Sequence, residues 1–146
     1  MIDVLIGSAK IDLNAIHAEG PMDPAFGAST TFTGVVRNLN HGREVTAVAY
    51  DAFVPLAERV LKEICETALL NHGGQGSIRV LHRIGMLRVG EISTAILVCT
   101  PHRDEAFRIC REVIEELKVK APIWKKEFYS DGETEWLKGH ALCGSH

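Results

Sequence analysis

Four of the chain's seven lysines fall within nine residues, Lys118-Val119-Lys120-Ala121-Pro122-Ile123-Trp124-Lys125-Lys126. Ammonium groups that converge form an anion site, and their repulsion favours a neutral amine on one of them. A neutral amine can act as a base or a nucleophile. Pro122 sets the geometry. It has no N–H to continue a helix and biases Ala121 away from α conformation. Lys118 is therefore expected in the last helical turn, with Lys125 on an extended segment folding back past it. Alternation sends Lys125 and Lys126 to opposite faces, so only one of them can meet Lys118 and the other stays exposed. The competing reading is a solvated basic turn, because the helix macrodipole alone favours lysines at a C-terminus.

Other basic residues could complete an anion site. Arg37 closes a strand and precedes the turn-rich Asn38-Leu39-Asn40-His41-Gly42. A planar, permanently charged guanidinium there suits phosphate capture, the alternative being a solvated strand-end charge. His102 and Arg103 follow Thr100-Pro101, which read as N-cap and N1, placing the pair at N2 and N3. Free N–H groups already draw anions to that end of a helix. Two cations set against the dipole imply an anion nearby, unless Asp104 and Glu105 compensate them in a surface cluster. His82-Arg83-Ile84-Gly85 reads as a strand end and turn, with His82 structural rather than catalytic. No three residues have metal-ligand spacing, so no metal is expected. No GxGxxG, P-loop or GxSxG motif is present.

The elements that must position these groups follow from periodicity. Met1–Gly7 reads as a strand and Asp12–Ala18 as a short helix capped by Asp12, followed by a loop over Gly20–Gly27. Ser29–Arg37 is a strand, with Phe32, Gly34 and Val36 on one face and Thr31, Thr33, Val35 and Arg37 on the other. Val45–Phe53 is expected to return as its antiparallel neighbour. Pro55–Asn71 is helical, with Leu56, Val60, Ile64 and Ala68 spaced by four, and glycines close it. Ser77–Arg83 is a strand, Gly85 and Gly90 flank a hairpin-like element, and Ile92–Thr100 is a buried strand. A helix with a stripe of Phe107, Cys110, Val113 and Leu117 then runs to Pro122. Trp124–Tyr129 and Thr134–Leu137 pair across Ser130-Asp131-Gly132. The pattern is α+β.

Bulk properties bound the function. At 146 residues, the chain is expected to be one domain over 1–146, with a mobile tail at about 139–146. A net charge of −3 disfavours nucleic-acid binding, and local basic clusters on an acidic chain favour a small anionic ligand. Cys65, Cys99 and Cys110 fall in apolar patterns, as core thiols of a reduced, cytoplasmic protein would. Neither a signal peptide nor a membrane span is expected.

Four blocks in order carry a family resemblance. They are Phe32-Thr33-Gly34-Val35-Val36-Arg37-Asn38; His82-Arg83-Ile84-Gly85; His102-Arg103 with Ala106-Phe107; and Leu117-Lys118 through Lys120-Ala121-Pro122-Ile123-Trp124-Lys125-Lys126-Glu127. Over roughly residues 28–137 the chain resembles the large, catalytic subunit of molybdopterin synthase. The resemblance implies an α/β hammerhead-type fold with an additional small antiparallel sheet, and a homodimer forming the core of a heterotetramer. A small ubiquitin-like subunit would insert its C-terminal Gly-Gly tail, carried as a thiocarboxylate. Sulfur would pass to cyclic pyranopterin monophosphate in two steps, giving the molybdopterin dithiolene without a metal or other cofactor. The family's essential lysines fall on Lys118 and Lys125, and its substrate-binding basic residues on Arg37, His102 and Arg103. Some pocket residues would come from the neighbouring subunit. Lys118 would be the acid/base and thiocarboxylate-positioning residue and Lys125 the anchor, although the swapped assignment is equally allowed. His140 stands where the family can carry a further arginine, with Lys138 as a nearby substitute. A non-catalytic anion-binding scaffold of the same fold is the alternative.

Overall fold

The computed structural model describes residues 1–18 and 23–137. The expected tail and the question of Lys138 and His140 lie outside the described residues. Two sheets organise the rest. The first is four-stranded and mixed: β1 (Ile2–Gly7), β5 (Ser77–Arg83), β7 (Ile92–Thr100) and β2 (Ala28–Val35), in that spatial order. The second is antiparallel throughout. It runs β3 (Leu39–Asn40), β4 (Arg43–Ala52), β8 (Ile123–Tyr129) and β9 (Thr134–Leu137), with β6 (Gly85–Arg88) also paired to β4. The α+β architecture expected from the sequence is present, with an added antiparallel sheet.

Helices α2 (Val54–Asn71) and α3 (Arg103–Lys120) cover one face of the first sheet. Their buried stripes, centred on Leu61 and Cys65 in α2 and on Ile109 and Val113 in α3, meet Ile78, Val80, Ile96 and Val98 from the sheet. The short α1 (Leu13–Ala18) sits on the other face, where Ile16 packs against Ala95, Leu97 and Cys99. β7 is buried on both faces, which explains its unbroken apolar run. A smaller core of Val36, Val45, Val48, Leu87 and Tyr129 supports the second sheet. The Asp12 carboxylate caps α1, accepting from the amides of Asn14 and Ala15. Gly76 lets the chain pass close to β7, since a Cβ there would lie 2.9 Å from the Cys99 carbonyl oxygen. Cys65, Cys99 and Cys110 are buried free thiols, and burial pushes Cys65 up to about 12 and Cys110 to about 11. Among the described residues no helix is long and apolar enough to cross a membrane.

Several local expectations need correction. β2 does not pair with β4. It pairs with β7, while β4 takes β8, so the chain changes sheets between the two strands. The change is made at Val36, whose amide donates to the Glu91 carbonyl and whose carbonyl accepts from Gly90. Those two bonds tie it to the β6–β7 connection. The segment between Gly85 and Gly90 is likewise no hairpin; β6 adds to β4. Thr100 does not cap α3. It stays at the end of β7, as a residue before proline prefers, and its hydroxyl donates to the His102 carbonyl at 2.6 Å. His102 is the N-cap and Arg103 the first helical residue. The stripe of α2 is also rotated by about one residue from the expected spacing, since Ala57 and Leu61 are buried where Leu56 and Val60 are only partly so.

Candidate active site

The two sheets and the C-terminal end of α3 enclose a cavity. Pro122 builds its central feature. The last bond of α3 runs from the Ala121 amide to the Leu117 carbonyl, and Ala121 is already extended at φ −70° and ψ 131°. The chain then reverses into β8, and Lys118 and Lys125 line the same cavity. β8 alternates strictly, burying Ile123, Lys125, Glu127 and Tyr129. Lys126 takes the opposite face. It is half-buried rather than exposed, its ammonium 5.4 Å from the Phe128 ring centroid and 5.5 Å from that of Trp136.

Lys125 is only 6% exposed and has Glu127, 3% exposed, as a neighbour on the same face, with 3.9 Å between Nζ and Oε2. The other carboxylate oxygen, Oε1, accepts from Asn40 Nδ2 at 2.6 Å and from the Tyr129 hydroxyl at 3.0 Å. A buried carboxylate needs such donors to remain charged. Burial lowers the Lys125 pKa most, Glu127 opposes it, and the Arg37 guanidinium lowers it further; the net direction is downward. Burial also raises the Tyr50 phenol, with Glu127 adding to the rise against a hydrogen bond from Ser93.

Arg37 lines this cavity together with Phe32 and Gly34. Strict alternation had put Arg37 on the face opposite Phe32. The strand ends at Val35 after a register shift between Gly34 and Val35, so the alternation does not extend to it. His102 and Arg103 do not reach the cavity. They are exposed at the far end of α3, where Arg103 stands fifteen positions before Lys118, or roughly 22 Å along the helix axis at 1.5 Å per residue. His102 lines a separate groove with His72, Gly73 and Gln75. Asp104, one of the two acids that could compensate them, pairs instead with Arg108 at 2.9 Å.

Three residues of the cavity were passed over or read differently in the sequence. In the sequence Asn40 stands out only as part of a turn-rich loop and Glu127 only as the end of the lysine motif. His82, read as structural, is a buried cavity wall residue, edge-on to Tyr50 with ring centroids 5.1 Å apart. The period-2 pattern of β8 was the available signal for Glu127, two residues beyond Lys125. Among the described residues, no three His, Cys, Asp or Glu side chains cluster as a metal ion would require. The arrangement suits the binding of a slender anionic group between cations, with one lysine shifted toward the neutral amine needed for proton transfer.

Residues 6–120 match the family model described as MoaE protein. Over 135 residues the chain is 48% identical to the molybdopterin synthase catalytic subunit of Synechococcus elongatus, covering 92% of this chain and 81% of that protein. The crystal structure of molybdopterin synthase from Staphylococcus aureus aligns with a TM-score of 0.83 and 32% identity, covering 90% of this chain and 94% of that one. A complex of subunits 1 and 2 of the molybdopterin-converting factor from Helicobacter pylori shares the fold, with a TM-score of 0.70 at 20% identity over 94% of this chain and 88% of that one.

Proposed function

The chain belongs to the MoaE family, that of the molybdopterin synthase catalytic subunits, and on that premise we propose that it transfers sulfur from the C-terminal thiocarboxylate of a small ubiquitin-like partner to cyclic pyranopterin monophosphate. It is the catalytic subunit of an enzyme of molybdenum cofactor biosynthesis. The product of the proposed transfer is the molybdopterin dithiolene, made in two sulfur additions in the cytoplasm by a single domain.

The observation that carries this reading is the convergence of Lys118, Lys125 and Arg37 on one cavity. The tail of the partner and the cyclic phosphate are both anions, and each needs cations to hold it. A Gly-Gly terminus is slender enough to enter where bulkier residues would not. Val35 and Leu39, both exposed and both lining the cavity, offer apolar surface to the residues that precede the tail.

The electrostatics favour a division of labour that the sequence left open. Burial moves Lys125 toward its neutral form, which suits it to carry protons in opening the cyclic phosphate and hydrolysing the acyl intermediate. Lys118, half-buried at the end of α3, is the better anchor for the thiocarboxylate. Arg37 holds the substrate phosphate with a bidentate fork. His102 and Arg103, too far from the cavity of their own chain, would serve that of a second copy in a homodimer, completing the substrate site across the interface.

Purified chain, thiocarboxylated small subunit and cyclic pyranopterin monophosphate test the proposal together. Dithiolene formation with two sulfurs consumed per pterin is expected. Tight binding of the partner without any turnover would overturn the reading and leave a scaffold.

A further inference from the structure

His82 has no part in the scheme above, yet it stands where it can act on Lys118. Along β5, Ile78 and Val80 enter the core beneath α2 and α3, and alternation carries His82 onto that face. Leu81 packs with the cluster on the opposite side. The imidazole is 3% exposed and lines the same cavity as Lys118. Its Nδ1 lies 2.8 Å from the Arg83 carbonyl oxygen. A carbonyl oxygen only accepts, so Nδ1 carries the hydrogen, and Nε2 of the neutral ring keeps a lone pair.

The ring is neutral at ordinary pH. Burial lowers its pKa most, the bond to the Arg83 carbonyl opposes this, and the charge of Lys118 lowers it again, to about 4. Among the described residues, the other charged or titratable groups lining the cavity are Lys118 from α3, Tyr50 from β4, Lys125 and Glu127 from β8, and Arg37 after β2. Glu127 is engaged by Asn40, Tyr129 and Lys125. The charge of Lys118 thus acts on a neutral ring that shares its cavity, whereas Lys125 lies 3.9 Å from a carboxylate oxygen. The difference has a chemical use. A carboxylate beside Lys118 would cancel the charge that draws an anion, while a neutral acceptor orients the ammonium and leaves its charge intact.

Resting on the sulfur-transfer reading, we propose that His82 is the positioning residue for Lys118. Its Nε2 accepts one hydrogen of the ammonium, so the remaining N–H groups are aimed at the thiocarboxylate of the incoming tail.

Nitrogen-15 NMR titration of the lysine and histidine side chains in the full chain tests this, using the unmutated protein, His82→Phe and His82→Gln. In the unmutated protein the ring is expected to show the Nδ1-protonated tautomer. An acceptor stabilises an ammonium more than an amine, so the Lys118 midpoint should fall by about half a unit or more in His82→Phe. It should recover in His82→Gln, whose side-chain carbonyl can accept, while Lys126 stays put. In turnover, His82→Phe should raise KM for the thiocarboxylated partner roughly tenfold with kcat changed less than about threefold, the signature of lost ground-state positioning. An unmoved Lys118 midpoint in folded His82→Phe, or a ring protonated on Nε2, would overturn the proposal. Should the phenylalanine variant fail to fold, the tautomer and the glutamine variant still decide it. Failure of the sulfur-transfer reading is distinguishable, because it appears as no dithiolene from the unmutated chain whatever the NMR result.

Discussion

The two ends of α3 both carry cations, and they are built in opposite ways. At the C-terminal end Lys118 sits where the dipole favours a positive charge, and the chain folds straight back to add Lys125, Glu127 and Tyr129. At the N-terminal end His102 and Arg103 sit against the dipole, exposed, with Asp104 turned away to Arg108. One end is a buried site assembled by local chain reversal. The other is an exposed surface whose two cations do not line that cavity. Under the proposed function the contrast marks which half of the site each subunit makes for itself and which half it lends.

The largest expected effect tests the buried end. Lys118→Ala and Lys125→Ala should each reduce turnover by roughly 10²–10⁴-fold, the range for losing a positioned acid–base or charge-stabilising group. Assays under saturating partner would show the loss in Lys125→Ala undiminished.

The exposed end should behave differently in mixtures. Arg103→Ala alone should lower activity, and so should Lys118→Ala. A heterodimer of the two variants contains one site with neither substitution, so it should recover about half of the normal activity. If no activity returns in purified mixed dimers, His102 and Arg103 do not serve a neighbour's cavity, and the comparison between the two ends collapses.

Glu127→Gln sharpens the electrostatic side of the buried end. It should cost on the order of tenfold in kcat, equivalent to about 1.4 kcal/mol. Glu127 raises the Lys125 pKa, so its removal should move the limb of the pH–rate profile that reports Lys125 to lower pH. A shift to higher pH would mean that another group controls that limb.

His82 predicts a pH effect on stability. Its folded pKa, about 4, lies below its ordinary value of 6.5. The unfolded chain therefore binds the extra proton first as pH falls, and stability drops between pH 6.5 and about 4. A shift of this size corresponds to about 3 kcal/mol. Denaturant unfolding across that range should show the loss, and His82→Gln should flatten it. Lys126→Ala is expected to give the smallest effect, under about twofold in turnover, because its side chain packs on Phe128 and Trp136 away from the cavity.

The legible parts of the fold were those governed by neighbours in the chain. Pro122 stopping α3 and the alternation of β8 involve only adjacent residues, and both placed the lysines correctly. Strand partnership is different. β2 pairs with β7, about sixty positions away, and nothing local in Thr30–Gly34 distinguishes that partner from β4. The register shift at Gly34/Val35 arises from the same non-local pairing, and it brought Arg37 to the Phe32 side of the cavity. Thr100 looked like a helix cap because Thr-Pro is a common start signal. The demand of the central strand β7 for that residue prevailed. His82 was undervalued because a buried histidine at a strand end is usually structural, and only the second sheet and the end of α3 turn its position into a cavity wall. The proposed service of His102 and Arg103 to a second copy is not something one chain's sequence can display.

The most direct test of the account is a conversion assay comparing Lys118→Ala, Lys125→Ala and Lys126→Ala with the unmutated chain, all supplied with thiocarboxylated partner and cyclic pyranopterin monophosphate. Dithiolene formation lost in the first two and kept in the third is the predicted result. Equal loss in all three, or full activity in either of the first two, would contradict a site built from the two lysines that Pro122 turns toward one another.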